Sequence, residues 1–276
     1  MISFIINALK IIFLLGFLIL IHEGGHCIVA KLCKVKVKEF AIGFGKTIWQ
    51  RQGKETKYTL RIIPLGGFCS MEGEDEESDS EGSFSKASVW KRMAIVVAGA
   101  VVNILFGILV YFILISAVGI QFVDPAKDTI FNRIYHGGRL TGDFILSIFE
   151  SVKMLFTGGV STDQKVGIVG ISEVVVPTNG IINYLHLLAV ISVSLGVTNL
   201  LPIPALDGGK IMILLIEIIR RKPMKVETEA KIQLLGFSIL MALFFIVTYN
   251  DITRIVGRFL EIRRKIARNL AIFFIL

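Results

Sequence analysis

The stretch from Phe4 to His26 reads FIINALKIIFLLGFLILIHEGGH. The part from Phe4 to Ile21 is mostly apolar, and with the residues that follow it is long enough to cross roughly 30 Å of hydrocarbon. It ends on His22-Glu23-Gly24-Gly25-His26. On a helix, residues i and i+4 share a face. His22 and His26 can therefore offer two imidazoles to one zinc ion, with Glu23 beside it to take a proton from a bound water. No further His or acidic residue follows within a turn or two. A third ligand has to come from elsewhere in the chain.

The composition places this stretch in a polytopic membrane protein. The chain has 276 residues, 54% hydrophobic and only 19% charged, with a mean hydropathy of +0.72. A soluble domain carries nearer a quarter charged residues. The net charge of +8 suits anionic lipid headgroups. No DNA- or RNA-binding motif accompanies it, so no nucleic-acid partner is expected. Lys10 lies within the first apolar run rather than before it, and no small-x-small cleavage site follows. The segment therefore reads as a retained span and not a signal peptide.

Working outward, the sequence predicts a mainly α membrane protein with four spans and a small membrane-associated β-hairpin or sheet. The first span is 1–32 and the second 93–119. The third is 181–209 and the fourth 234–249. Residues 33–92 form a loop, and the stretch from Lys31 to Arg92 carries about a dozen Lys and Arg, several near the membrane ends (Lys31, Lys34, Lys36, Lys38, Lys91, Arg92). The positive-inside rule puts that loop in the cytosol. Residues 210–233, with Lys210, Arg220, Arg221, Lys222 and Lys225, fall on the same side as a cytosolic or interfacial helix and loop. Residues 120–180 form a short outside loop. The end of the chain, 250–276, reads as a basic amphipathic helix lying in the interface, although this topology puts its arginines outside.

Within the cytosolic loop, KYTLRIIPLGGFCSM alternates at Tyr58, Leu60 and Ile62 and then meets Pro64-Leu65-Gly66-Gly67, which predicts strands around a turn. The acidic run Glu72 to Gly82 reads as a solvated loop. The three cysteines, Cys27, Cys33 and Cys69, give no disulfide framework. Cys27 adjoins His26 but points about 100° away around the helix, so it reads as a packed residue and not a ligand.

The third span ends in Asn-Leu-Leu-Pro-Ile-Pro-Ala-Leu-Asp-Gly-Gly, Asn199 to Gly209. Pro202 and Pro204 break the helix, and unwound backbone at membrane depth is tolerated only where protein or a water-filled cavity satisfies it. Asp207 follows at once. It can complete a two-His, one-carboxylate zinc site with water as fourth ligand. It can also be the N-cap of the following helix.

These motifs in this order resemble the site-2 protease family of intramembrane zinc metalloproteases, in its RseP-like bacterial branch. The resemblance rests on HEGGH, GFGK (Gly43 to Lys46), PLGGF (Pro64 to Phe68), GAVVN (Gly99 to Asn103) and NLLPIPALDGG. Lys46 and Ala100 stand where the family has proline. About sixty residues separate spans two and three, so the PDZ domain usual in that branch does not fit. The resemblance implies that His22, His26 and Asp207 bind zinc and that Glu23 is the general base and acid. It further implies that Asn199 and Asn103 hold substrate or the oxyanion, and that Pro64, Leu65, Gly66 and Gly67 pair with substrate as an added strand. A helix hides its own amides, so a protease must hold its target extended, and a sheet edge can do that.

The expected function is cleavage of single-span membrane proteins near the cytosolic side of the bacterial inner membrane. Removal of an anti-sigma factor or of a signal-peptide remnant is the expected context. The competing readings are a metal transporter and a catalytically silent relative. His186, about six helical turns before Asp207, reads as a hydrogen-bonded helix residue. Glu217 reads as interfacial, with Arg220 or Arg221 as partner.

Overall fold

A computed structural model describes residues 2–74, 76, 78–119, 127–157 and 180–275. The elements in order are α1 (Ile2–Leu32), β1 (Val37–Gln52), β2 (Lys57–Met71), α2 (Val89–Leu114, continued by a π-helical turn Ile115–Gly119), α3 (Ile130–Thr157), α4 (Ile181–Asn199), α5 (Asp207–Arg220) and α6 (Val226–Ile275). Four helices among the described residues are long and apolar enough to cross a membrane: Leu9–Leu32, Val89–Gly119, Ile181–Asn199 and Val226–Asn250. The protein is a mainly α membrane protein with a small sheet.

The central helix is α2, which packs against both α1 and α4. In lipid there is little hydrophobic force between helices, so close approach through small residues does much of the work. At Gly25 a side chain would meet the backbone of Ala98 and Gly99, and at Gly196 it would meet Ala100. Two clusters flank these contacts. Leu14, Leu18 and Leu188 form one, backed by Phe17 and Phe106. The other joins Cys27, Val37, Met71, Ile95 and Leu214, and so ties α1, the sheet, α2 and α5 together.

The sheet wraps around the first half of β1. Residues 67–71 run antiparallel along 37–42, while 57–60 pair with 39–42 as well as with 49–52. Lying on opposite sides of 37–42, the two halves of β2 leave 67–71 as an outer edge. β2 is therefore one continuous strand where two strands and a turn were expected. It crosses over beyond Ile42, where Gly66 (φ 123°) rests on the Phe44 ring with no room for a Cβ. Across the sheet, Glu39 accepts from Thr59 Oγ1 at 2.7 Å and Arg61 Nη2 at 2.8 Å.

Three elements differ in extent from the sequence reading. Residues 130–157, inside the expected outside loop, are an amphipathic helix, anchored on α2 by Phe144 stacked 4.1 Å from Tyr111 and by Arg133 donating to the Ala117 carbonyl at 2.8 Å. The parts of that loop at 120–126 and 158–179 lie outside the described residues. The fourth span begins at Val226 rather than 234, and its helix continues through the basic tail to Ile275. Ile211 to Ile219 belongs to α5. Only 6% of the fourth span is buried, so α6 is peripheral. It touches the rest at the proline loop, where Gln233 Oε1 accepts the Ala205 amide at 2.5 Å.

α5 is fastened to α2 by a buried ion pair. Arg92 Nη2 lies 2.5 Å from Glu217 Oε2, with the side chains 11% and 3% exposed. Glu217 Oε1 also accepts the Met224 amide at 2.7 Å. The partner is Arg92, 125 residues away, and not the neighbouring Arg220 or Arg221. Burial makes the difference, since an exposed i,i+3 pair leaves a carboxylate in water, whereas a buried one needs a charge aimed at it. Removing one partner strands the other. Glu217→Ala should lower stability by about 3–5 kcal/mol, read as loss of thermal midpoint in detergent. Arg92→Met combined with Glu217→Leu should recover most of that loss.

Candidate functional site

His22 and His26 occupy consecutive turns of α1 and are both buried. Their ring centroids are 4.9 Å apart and their Nε2 atoms 3.3 Å apart. His26 Nδ1 donates to the Ile95 carbonyl of α2 at 2.8 Å. That bond fixes the tautomer and leaves the Nε2 lone pair facing the cleft. The ring fits because residue 99 is glycine, since a Cβ there would overlap the His26 imidazole.

Asp207 comes from the other half of the chain. α4 ends at Asn199, the Pro202–Pro204 loop turns, and Leu206 is extended (φ −104°, ψ 164°) as the cap of α5. Asp207 is thus the first helical residue rather than the cap, and its carboxylate is turned toward α1. Asp207 Oδ2 stands 3.2 Å from His22 Nε2 and 3.5 Å from His26 Nε2. Gly208 and Gly209 let α5 start against the carbonyls of Leu200, Leu201 and Ile203.

Each of these three residues offers one ligand atom, all within 4.8 Å of one another. Bonds of about 2.0–2.2 Å at tetrahedral angles set neighbouring zinc donors about 3.3–3.6 Å apart, close to the spacing observed. His22 Nδ1 and Asp207 Oδ2 are buried without a hydrogen-bond partner. Two imidazole nitrogens and a carboxylate crowd one buried point, which suits a cation held among them. The donor set fits zinc.

Glu23 and Gly67 face each other across the cleft. A Cβ on Gly67 would lie 3.2 Å from Glu23 Cγ. A cavity of about 410 Å³ opens here, walled by the three donor residues, Glu23 and the edge of β2 from Gly67 to Met71. Of the other expected residues, Asn199 brings its side-chain Nδ2 to 3.3 Å from His22 Nε2. Asn103 lies apart from the cavity wall. It is fully buried where α2 meets α4, its carbonyl accepting from Ser192 Oγ at 2.8 Å and both amide atoms unpaired. Gly66 sits at the crossover of β2, while Pro64 and Leu65 have backbone in β2 and side chains outside the described residues. Cys27 packs in the cluster around Val37 and Met71, away from the three donors.

Two charged residues of the cleft escaped the sequence reading. Glu74, within the supposedly solvated acidic run, lines the cavity, and so does Lys210, one turn after Asp207. The end of β2 holds the first acidic residues of the run, Glu72 against Lys38 at 3.0 Å and Glu74 against Lys210.

The sequence pattern of peptidase family M50 matches residues 10–243. The zinc metalloprotease RasP of Bacillus licheniformis is 26% identical over 90% of this chain and 99% of its own length. The regulator of sigma-W protease RasP of Bacillus subtilis is 24% identical over 91% of this chain and 99% of its own. A Clostridium perfringens protein, provisionally named a zinc metalloprotease, is 30% identical over 85% and 95%. The first two alignments run to 418 and 422 positions against a chain of 276 residues, so those relatives carry stretches that this chain lacks.

The two glycines between the histidines differ in their surroundings. A methyl added at Gly24 would meet no heavy atom within 4 Å, whereas at Gly25 the Ala98 carbonyl oxygen would be 2.7 Å away. Gly24→Ala should keep or raise the thermal midpoint, by up to about 1 kcal/mol from helix propensity. Gly25→Ala should separate α1 from α2 and lower both the midpoint and the zinc content of the purified protein.

Proposed function

Because the chain belongs to peptidase family M50, we propose that it is a zinc endopeptidase that cuts single-span membrane proteins within or beside the bilayer. The observation that carries this reading is the meeting of His22 and His26, on a helix that can cross a membrane, with Asp207 at the start of α5, beside Glu23. The names of its relatives in Bacillus and Clostridium support zinc as the metal. The name of the Bacillus subtilis relative, a regulator of sigma-W protease, supports a regulatory role, and an anti-sigma factor is the class of target we propose. Clearance of signal-peptide remnants uses the same chemistry.

His22 Nε2, His26 Nε2 and the Asp207 carboxylate would hold the ion. When bound, zinc lowers the pKa of a water molecule and polarises a scissile carbonyl. Glu23 takes the proton from that water and delivers it to the leaving nitrogen. The Asn199 amide, 3.3 Å from His22 Nε2, would donate to the substrate carbonyl oxygen. The outer edge of β2 at 67–71 accepts an unwound substrate segment through main-chain hydrogen bonds. A membrane helix has to be opened before its peptide bonds can be reached, and the edge stabilises the opened form.

The basic loop ends at Lys31, Lys34, Lys91 and Arg92 favour a cytosolic side for this cleft. We infer the inner membrane of a bacterium as its location, with anionic lipid as a partner of the basic chain. Among the alternatives, a silent relative has no use for Glu23 beside the three donors. A transporter predicts metal uptake into proteoliposomes without proteolysis.

Glu23→Gln tests the reading. It should retain zinc at the wild-type level, measured by metal analysis of purified protein. Cleavage of a reconstituted single-span substrate should fall about 10²–10⁴-fold. Cleavage at the wild-type rate would remove Glu23 from the mechanism.

A further inference from the structure

The metal cleft does not end at Asp207. A second cavity of about 300 Å³ lies beyond it, between the start of α5 and the start of α6, walled by Ala205, Leu206, Glu229 and Gln233. The two cavities share three residues: Glu74, Asp207 and Lys210. Asp207 faces the metal donors. The other two close the passage, with Lys210 Nζ 2.6 Å from Glu74 Oε1 and the side chains 20% and 17% exposed. Lys210 Nζ also rests 5.0 Å from the centre of the Phe84 ring.

The strand edge points at this closure. Gly67 to Met71 all line the first cavity. At about 3.3 Å per residue, an extended chain beside them covers on the order of 15 Å. Its path runs past Met71, where Glu74 folds back so that its Oε2 accepts the Met71 amide at 3.3 Å. A chain lying along the edge therefore meets the Glu74–Lys210 pair, with the second cavity directly behind it. A polypeptide backbone cannot pass an ion pair closed to 2.6 Å. Lys210 has a second carboxylate available in the wall of the second cavity, Glu229 of α6. Glu229 already interacts with the Lys210 charge across the second cavity, so the cation keeps a carboxylate when Glu74 releases it.

Resting on the protease reading above, we propose that the second cavity is the continuation of the substrate groove and takes the extended polypeptide beyond the cleaved bond. The Glu74–Lys210 ion pair is the latch between the two halves. Opening transfers Lys210 from Glu74, on the loop after β2, to Glu229, on the peripheral helix. The latch keeps the second half of the groove shut until a strand has been added to β2.

Hydrogen exchange of the intact protein in detergent tests the latch without relying on cleavage. Glu74→Gln should speed amide exchange across 72–84 about fivefold, the factor given by roughly 1 kcal/mol of lost closing bias. Glu229→Gln, which removes the open-state partner, should slow it. Unchanged exchange in Glu74→Gln, or a shift of both variants in the same direction, overturns the latch. The groove is tested with Ala230→Trp, which enlarges a residue in the wall of the second cavity. The probes are a synthetic single-span peptide with an Asn-Pro break near its cytosolic end and the same peptide truncated two residues past the cut. The longer probe should lose at least about fivefold in kcat/KM and the shorter one little. An equal loss on both overturns the groove. If the wild-type protein cuts neither probe, the protease reading fails, while the exchange result still decides the latch.

Discussion

Everything in this molecule is arranged so that a carboxylate from one half of the chain meets two imidazoles from the other at a buried point. Such a meeting is unfavourable in an apolar medium unless each donor is held and a cation is shared among them. α1 supplies the imidazoles one turn apart. α2 orients one of them through the Ile95 carbonyl and makes room for its ring at Gly99. α5 brings Asp207, and the buried Arg92–Glu217 pair ties that helix to the same α2. The central helix is therefore the common reference for all three donors, although it contributes none of them.

Much of this was legible in the sequence because the spacings were local. HEGGH needs only helical periodicity to put His22 and His26 on one face, and the two prolines before Asp207 announce a broken span with an acidic residue at its end. The four spans followed from length and hydropathy. What was not legible depended on partners remote in sequence. Local spacing offered Glu217 the arginines at 220 and 221, but burial of α5 against α2 made Arg92 the partner. Charge density made Glu72 to Gly82 a solvated run, yet the end of β2 sets Glu74 against Lys210. Helix α3 was hidden in the same way, since its mixture of glycine, charge and aromatic residues reads as loop until Tyr111 and Ser116 of the α2 segment give one face something to pack on.

The sheet and the metal cleft then form a single device. Because 57–60 and 67–71 flank the same stretch of β1, the last five residues of β2 keep an unpaired edge, and that edge runs beside Glu23. Edge strands are a hazard in most proteins because they invite pairing with other chains. Here the edge is walled into a cleft between helices, so only a segment that enters the cleft can use it. Peripheral packing of α6, held at Ala205 by Gln233, puts one wall of the far end of that cleft on a helix only 6% buried along its span.

X-ray absorption at the zinc edge of the purified protein reads the identity of the three donors. The expected result is a first shell of nitrogen and oxygen only, at about 2.0–2.2 Å, with two imidazole signatures and no sulfur, and loss of the bound zinc in Asp207→Ala. A zinc–sulfur distance of about 2.3 Å, bringing Cys27 or Cys69 into the shell, would contradict it. So would an unchanged spectrum in the Asp207→Ala protein.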